Sequence, residues 1–203
     1  MTIIDINSKN NKIFMIKFLD PKTIELKKTK NELDEFVFNF LDSLEIFTDY
    51  VIISGYISIL LGRPRSTDDV DILVPRMKKE KFKELHDDLI KKGFWFINSS
   101  NITDLFEILD EEDSIRIAVD SEISPNIELK FIKDEKDKET FKKKIKVNYE
   151  NKQINISPIE LQIAYKEQIL QAPKDMEDAL HLRLLFKDNI KEDKIIYYKQ
   201  KWT

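Results

Sequence analysis

The sequence predicts an α+β chain in which a mixed β-sheet is flanked by helices and followed by a C-terminal helical segment. Three observations predict it. Short runs alternating between apolar and charged residues, such as "NIELKFI" at 126–132, recur through the middle of the chain. An amphipathic helical pattern precedes them, and helix-start signals fall in the last fifty residues. No repeat or low-complexity linker interrupts the chain, so the expectation is one mixed domain: an N-terminal extension at 1–30, a core at 31–156, and a helical segment at 157–203 packed on that core.

At the start, "TIIDI" and "KIFMIKFL" resemble a short strand pair. From Asn31 onward Leu33, Phe36, Val37, Phe40, Leu41 and Leu44 recur at helical spacing and form one buried stripe. "YVIIS" reads as a buried strand, "YISILL" as a short helix ended by Gly62 and Pro64, and "DVDILV" as a second strand ended by Pro75. "MKKEKFKELHDDLIKKG" places Phe82, Leu85 and Leu89 on one helical face, with Gly93 as its stop and His86 beside the stripe. "GFWFI", "SIRIAV" and "NIELKFI" read as strands, the last with one face buried and one not. Between the first two, "NSSNITDLFEILDEEDS" reads as a loop without a recognisable code. "KDEKDKETFKKKIK" reads as an exposed turn and short helix, and "IKVNYENKQINI" as a hairpin turning at Glu150, Asn151 and Lys152. In "SPIEL", Ser157 is expected to cap a helix with Pro158 at its first position and Glu160 closing a capping box. A second helix, "PKDMEDALHLRLLF", starts at Pro173, with acids early, Arg183 late and His181 packed among leucines.

Composition narrows the chemistry. The 203 residues carry 34 basic and 38 acidic side chains, a net charge of −4, with the two signs interspersed. That pattern gives a solvated surface and no strong nucleic-acid signature. No apolar run approaches the roughly 20 residues of a spanning helix, and Asp5 interrupts the start, so no membrane association and a cytoplasmic location are expected. Without cysteine, and with two histidines far apart, any metal must be held by oxygen, which favours hard ions such as Mg2+ or Mn2+.

Asp69 and Asp71 stand at the mouth of "DVDILV". An acid pair at this spacing means little alone, since chance gives about seven such pairs in a chain this acidic. In an extended strand, however, the two carboxylates project to one face while Val70, Ile72 and Val74 project to the other. Such a pair either faces water at a strand end or is neutralised by a cation, and geometry alone leaves both open.

The longer stretch "SGYISILLGRPRSTDDVDILV" resembles the strand, glycine, helix and Asp-x-Asp signature of the polymerase-beta-like nucleotidyltransferase superfamily, with Gly62, Arg65, Thr67, Asp69 and Asp71 matching "G-x-x-R-x-T-x-D-h-D". It is most similar to compact prokaryotic members related to toxin–antitoxin and small-molecule-modifying enzymes. Further matches are Glu128 in "IELKF" as the third acid, "SPIEL" with Lys166, and "KDMED" with Lys174, Asp175 and Asp178. The resemblance spans about Tyr50 to Phe186. It implies a nucleotidyltransferase fold, with 31–156 as its core, and transfer of a nucleoside monophosphate from a nucleoside triphosphate to a hydroxyl on a small molecule, RNA end or protein. It also implies two metal ions, Mg2+ or Mn2+, held by the catalytic acids Asp69, Asp71 and Glu128, and nucleotide contacts from Ser54, Gly55, Arg65, Thr67 and Lys166. The acceptor is not specified. The alternative is a binding module of the same fold that acts in a toxin–antitoxin pair, with a cognate toxin or antitoxin as partner. Two positions depart from the pattern: Ser54 replaces the leading glycine, and Glu128 stands where aspartate is usual.

Overall fold

A computed structural model describes residues 14–119 and 121–202. The "TIIDI" segment therefore lies outside the described residues. The architecture is mixed α+β, as expected, but its compact units do not follow chain order. Of the described residues, one unit gathers those up to Thr29, Ile57–Arg65 and those from Lys142 onward; the other comprises Lys30–Tyr56 and the described residues of Ser66–Phe141. The sequence places divisions near residues 30 and 156. In the structure, the strands of residues 145–156 cluster with the helical tail.

In the first unit, β1 (Phe14–Asp20) runs antiparallel to β2 (Thr23–Lys28). Their turn is tightened by Asp20 Oδ1, which accepts from the Lys22 amide at 2.7 Å. β2 lies parallel to β8 (Ile145–Tyr149), which pairs antiparallel with β9 (Lys152–Ile156) through a turn where Glu150 takes φ 54°. Gly62, at φ 95°, is required twice: the conformation disfavours a side chain, and a Cβ would stand 2.5 Å from the Phe14 ring. The helical tail comprises α6 (Ile159–Tyr165), a π-helical turn (Lys166–Leu170), α7 (Pro173–Leu185) and α8 (Glu192–Lys201).

The capping box expected at "SPIEL" does not form. Pro158, in an extended conformation at ψ 141°, is the residue before the helix, so Ser157 sits one position too early to reach the first amides. Its hydroxyl is buried without a hydrogen-bond partner, while Glu160 pairs with Lys194 at 3.4 Å.

In the second unit, α1 (Glu32–Phe47) is closed at its start by a reciprocal capping box between Asn31 and Asp34. The strands are β3 (Val51–Ile52), β4 (Asp69–Val74), β5 (Phe94–Phe96), β6 (Ser114–Val119) and β7 (Asn126–Phe131), in the order β3-β4-β7-β6-β5. Only the β4–β7 pair is parallel. Helix α3 (Lys79–Lys91) buries Phe82, Leu85 and Leu89 as its spacing predicts, and α5 (Glu135–Lys143) fits the short helix read in the lysine-rich run. Phe40 meets Phe94 edge-on at 5.7 Å, joining α1 to the sheet. Truncating a fully buried ring such as Phe40 would cost about 3–5 kcal/mol.

The segment expected as a loop contains α4 (Ile102–Asp110), capped by the Asn101 side chain, which accepts from the Thr103 amide at 2.9 Å. Its stripe, Leu105 and Leu109, is wholly buried. Among the described residues, no helix is long and apolar enough to cross a membrane.

Candidate functional site

Alternation in β4 and β7 sorts side chains by chemistry. Val70, Ile72, Ile127 and Leu129 are fully buried on one face, which leaves Asp69, Asp71, Glu128 and Lys130 on the other. Because the strands are parallel and in register, Asp69 stands beside Asn126 and Asp71 beside Glu128. On the far side of β7, Arg116 of β6 is the register partner of Glu128. One row across three strands thus reads Asp71, Glu128, Arg116.

Two acids side by side repel, and the structure shows what offsets them. Lys130 Nζ lies 2.6 Å from Asp71 Oδ1 and 3.1 Å from Glu128 Oε2, bridging the two carboxylates. Glu128 Oε1 accepts from Arg116 Nη2 at 3.0 Å and Nε at 3.1 Å. Burial pushes the Asp71 carboxyl up from its ordinary value although the Lys130 ammonium opposes it. Burial also works against the Lys130 charge, but Asp71 and Glu128 outweigh it and raise the ammonium above the usual lysine range. Asp69 is treated differently: its Oδ1 lies 3.1 Å from the Thr67 hydroxyl, and among the described residues no basic side chain pairs with it.

Ser54 and Gly55 open the short helix α2 (Gly55–Leu60), and Ser54 takes φ 61°. This left-handed conformation suits the glycine that Ser54 replaces and costs an ordinary residue about 1–2 kcal/mol. The turn is held from both sides. Ile53 N donates to Asp71 O at 3.0 Å, and the buried Tyr56 hydroxyl donates to the buried Asp34 carboxylate of α1 at 2.9 Å.

The remaining predicted residues, Arg65 and Lys166, belong to the first unit, where both converge on Asp178. Lys166 Nζ lies 2.8 Å from Asp178 Oδ2 and 3.1 Å from Asp175 Oδ1, with its side chain 1% exposed. Arg65 clasps Asp178 with two nitrogens, each at 3.0 Å, and Arg63 pairs with the same carboxylate. Burial would raise the Asp178 carboxyl, but Lys166 and the two arginines hold it below the usual range. His181 Nε2 donates to Leu61 O at 3.0 Å, and burial lowers its imidazole, in keeping with a packed role. His86, expected at the edge of its helical stripe, stacks on Phe96 at 4.7 Å.

Asp69, Asp71, Glu128, Thr67, Ser54 and Gly55 therefore lie in one unit, and Arg65 and Lys166 in the other. Sequence reasoning missed Lys130, Arg116 and Arg63. The signal for Lys130 was its place two residues after Glu128 on an alternating strand, and that for Arg116 the same alternation in "SIRIAV". Arg63 had none.

Among the described residues, no group of three or more His, Cys, Asp or Glu side chains is arranged to hold a metal ion. The donors that suit a hard cation are the Asp69 and Asp71 carboxylates, whose Oδ2 atoms receive no hydrogen bond from the described residues. Between Asp71 and Glu128 the space is bridged by Lys130. At the Asp69 end, carboxylate oxygens remain without a basic partner among the described residues.

No protein-family model and no curated protein matches the chain. Among solved structures, an antigenic nucleotidyltransferase-like protein from Paracoccidioides brasiliensis is similar over 74% of each chain, at 16% identity and a TM-score of 0.46.

Proposed function

We propose that this protein is a metal-dependent nucleotidyltransferase that moves a nucleoside monophosphate from a nucleoside triphosphate to a hydroxyl acceptor. The observation that carries the reading is the register of β4 and β7, which sets Asp69, Asp71 and Glu128 on one sheet face, with the Ser54–Gly55 turn tied to that face through the Ile53 amide on Asp71 O. Asp69 and Asp71 would hold a divalent ion, Mg2+ or Mn2+, through oxygen. Such an ion neutralises triphosphate charge and makes a bound hydroxyl easier to deprotonate. Thr67 fixes the Asp69 carboxylate, and the bond from Ile53 to the Asp71 carbonyl ties the glycine turn to the acid strand. The left-handed Ser54 is backbone strain of the kind that gathers at working sites. Arg65 and Lys166 pair with Asp178 and not with the acids of this sheet face.

A second reading, a binding module of a toxin–antitoxin pair, is favoured by one observation: Lys130 already neutralises two of the three acids. The assay that separates them incubates wild type and Glu128→Gln with alpha-labelled triphosphates, Mg2+ and cell extract, and follows label into small molecules, RNA and protein. The enzyme reading predicts transfer by wild type and a loss of about a hundredfold in the variant, the usual size when one positioned charged group is removed. Saturated nucleotide with no transfer by wild type would overturn it in favour of the module.

A further inference from the structure

We infer that Lys130 is a resident cation of the acid face, occupying the position between Asp71 and Glu128, so that the chain takes a single divalent ion at Asp69–Asp71 and not two. The inference rests on the function proposed above and narrows its metal requirement. Three observations converge on it. Asp71 and Glu128 are direct register partners, an arrangement of like charges that needs a positive group between them. That group is present: the Lys130 ammonium bridges Asp71 Oδ1 at 2.6 Å and Glu128 Oε2 at 3.1 Å. It comes from the same strand as Glu128, two residues on, so strand geometry delivers it to this face without any loop.

The neighbouring position is not filled in this way. Asp69 receives only the neutral Thr67 hydroxyl among the described residues, and its Oδ2 and that of Asp71 accept no hydrogen bond there. Glu128 is further committed by Arg116 on its other oxygen. A second ion between Asp71 and Glu128 would have to displace an ammonium from two carboxylates, whereas an ion between Asp69 and Asp71 displaces no side-chain charge. Glu128 on this account anchors Lys130 and is a positioning residue.

The test uses the full chain and Mn2+ alone, titrated to millimolar levels and followed by the loss of the free-ion electron paramagnetic resonance signal, with melting temperature read alongside. Wild type is expected to bind one Mn2+. Lys130→Met, which removes the charge and keeps the stem, is expected to bind two, and to gain more in melting temperature from Mn2+ than wild type does. Lys130→Arg, which restores a cation, should return to one. Two ions in wild type would overturn the inference while leaving the proposed function standing, and this holds even if Lys130→Met does not fold. One ion in both wild type and Lys130→Met, with equal thermal response, would do the same. No Mn2+ bound by either protein would overturn the inference and the metal-dependent function together.

Discussion

Replacing Lys166 with methionine removes a charge that the first unit has sealed from water. Its ammonium lies between Asp178 and Asp175, at 2.8 and 3.1 Å, and the three side chains are 1%, 0% and 8% exposed. Methionine keeps an unbranched stem, so little packing is lost and the effect is electrostatic. Asp178 retains Arg63 and Arg65, but among the described residues no second basic side chain pairs with Asp175. Removing one partner of a buried pair costs about 3–5 kcal/mol. Because one of the two acids keeps its arginines, the low end, about 3 kcal/mol, is expected here. For a chain of this size that is a fall in melting temperature of about 6–12 °C, measurable by circular dichroism. Asp175→Asn should destabilise wild type yet recover about 1 kcal/mol or more in the Lys166→Met background, since it neutralises the stranded acid. The acid limb should change too. The folded Asp178 carboxyl lies below its unfolded value of about 3.9, so its contribution is present above that pH and is lost as pH falls below it. Lys166→Met should shrink that loss. A cost under about 1 kcal/mol, or an Asp175→Asn effect equal in both backgrounds, would show that the cluster does not act as an electrostatic unit.

The His181 imidazole is lowered by burial, so its contribution to stability is complete above an unfolded value of about 6.5 and is lost as pH falls below it. Urea denaturation from pH 7.5 to 5 should show that decline, and His181→Gln should flatten it; an unchanged slope would place the titrating group elsewhere. Ser54→Gly removes the cost of the left-handed conformation and returns part of it as chain entropy, for a net gain of up to about 1 kcal/mol. A loss of stability would instead mean that the serine side chain holds the turn.

The legible parts of this molecule were those that a single periodicity decides. "DVDILV" became β4 with the bounds read from sequence, because the same alternation that buries its valines sets its acids on the opposite, half-buried face. The stripes of α1 and α3 were legible for the same reason. Helix α4 was concealed by polar flanks, although Leu105 and Leu109 stand at helical spacing with Asn101 ready to cap. Ser157 carried the sequence mark of a cap but lost that role to the extended backbone of Pro158, a matter of one residue's phase. At the candidate site, the acids were visible as residue types, whereas their pairing with Lys130 and Arg116 depends on strand register, which no local pattern encodes. Likewise, Lys166 has the look of a phosphate ligand in sequence, and only tertiary packing shows it enclosed by Asp175 and Asp178.

The central claim, that the Asp69–Asp71 end of the acid face holds a divalent ion for a nucleoside triphosphate, is tested most directly by melting temperature. Wild type and Asp71→Asn would be heated with each of four nucleoside triphosphates, with Mg2+, with Mn2+ or with chelator. At about a hundred times the dissociation constant, ligand should stabilise wild type by roughly 2.7 kcal/mol, a rise of about 5–10 °C that disappears with chelator. Asp71→Asn should fold yet show no ion-dependent rise. A wild type that shifts with no nucleotide under either ion, or an Asp71→Asn variant that shifts as wild type does, would contradict the account.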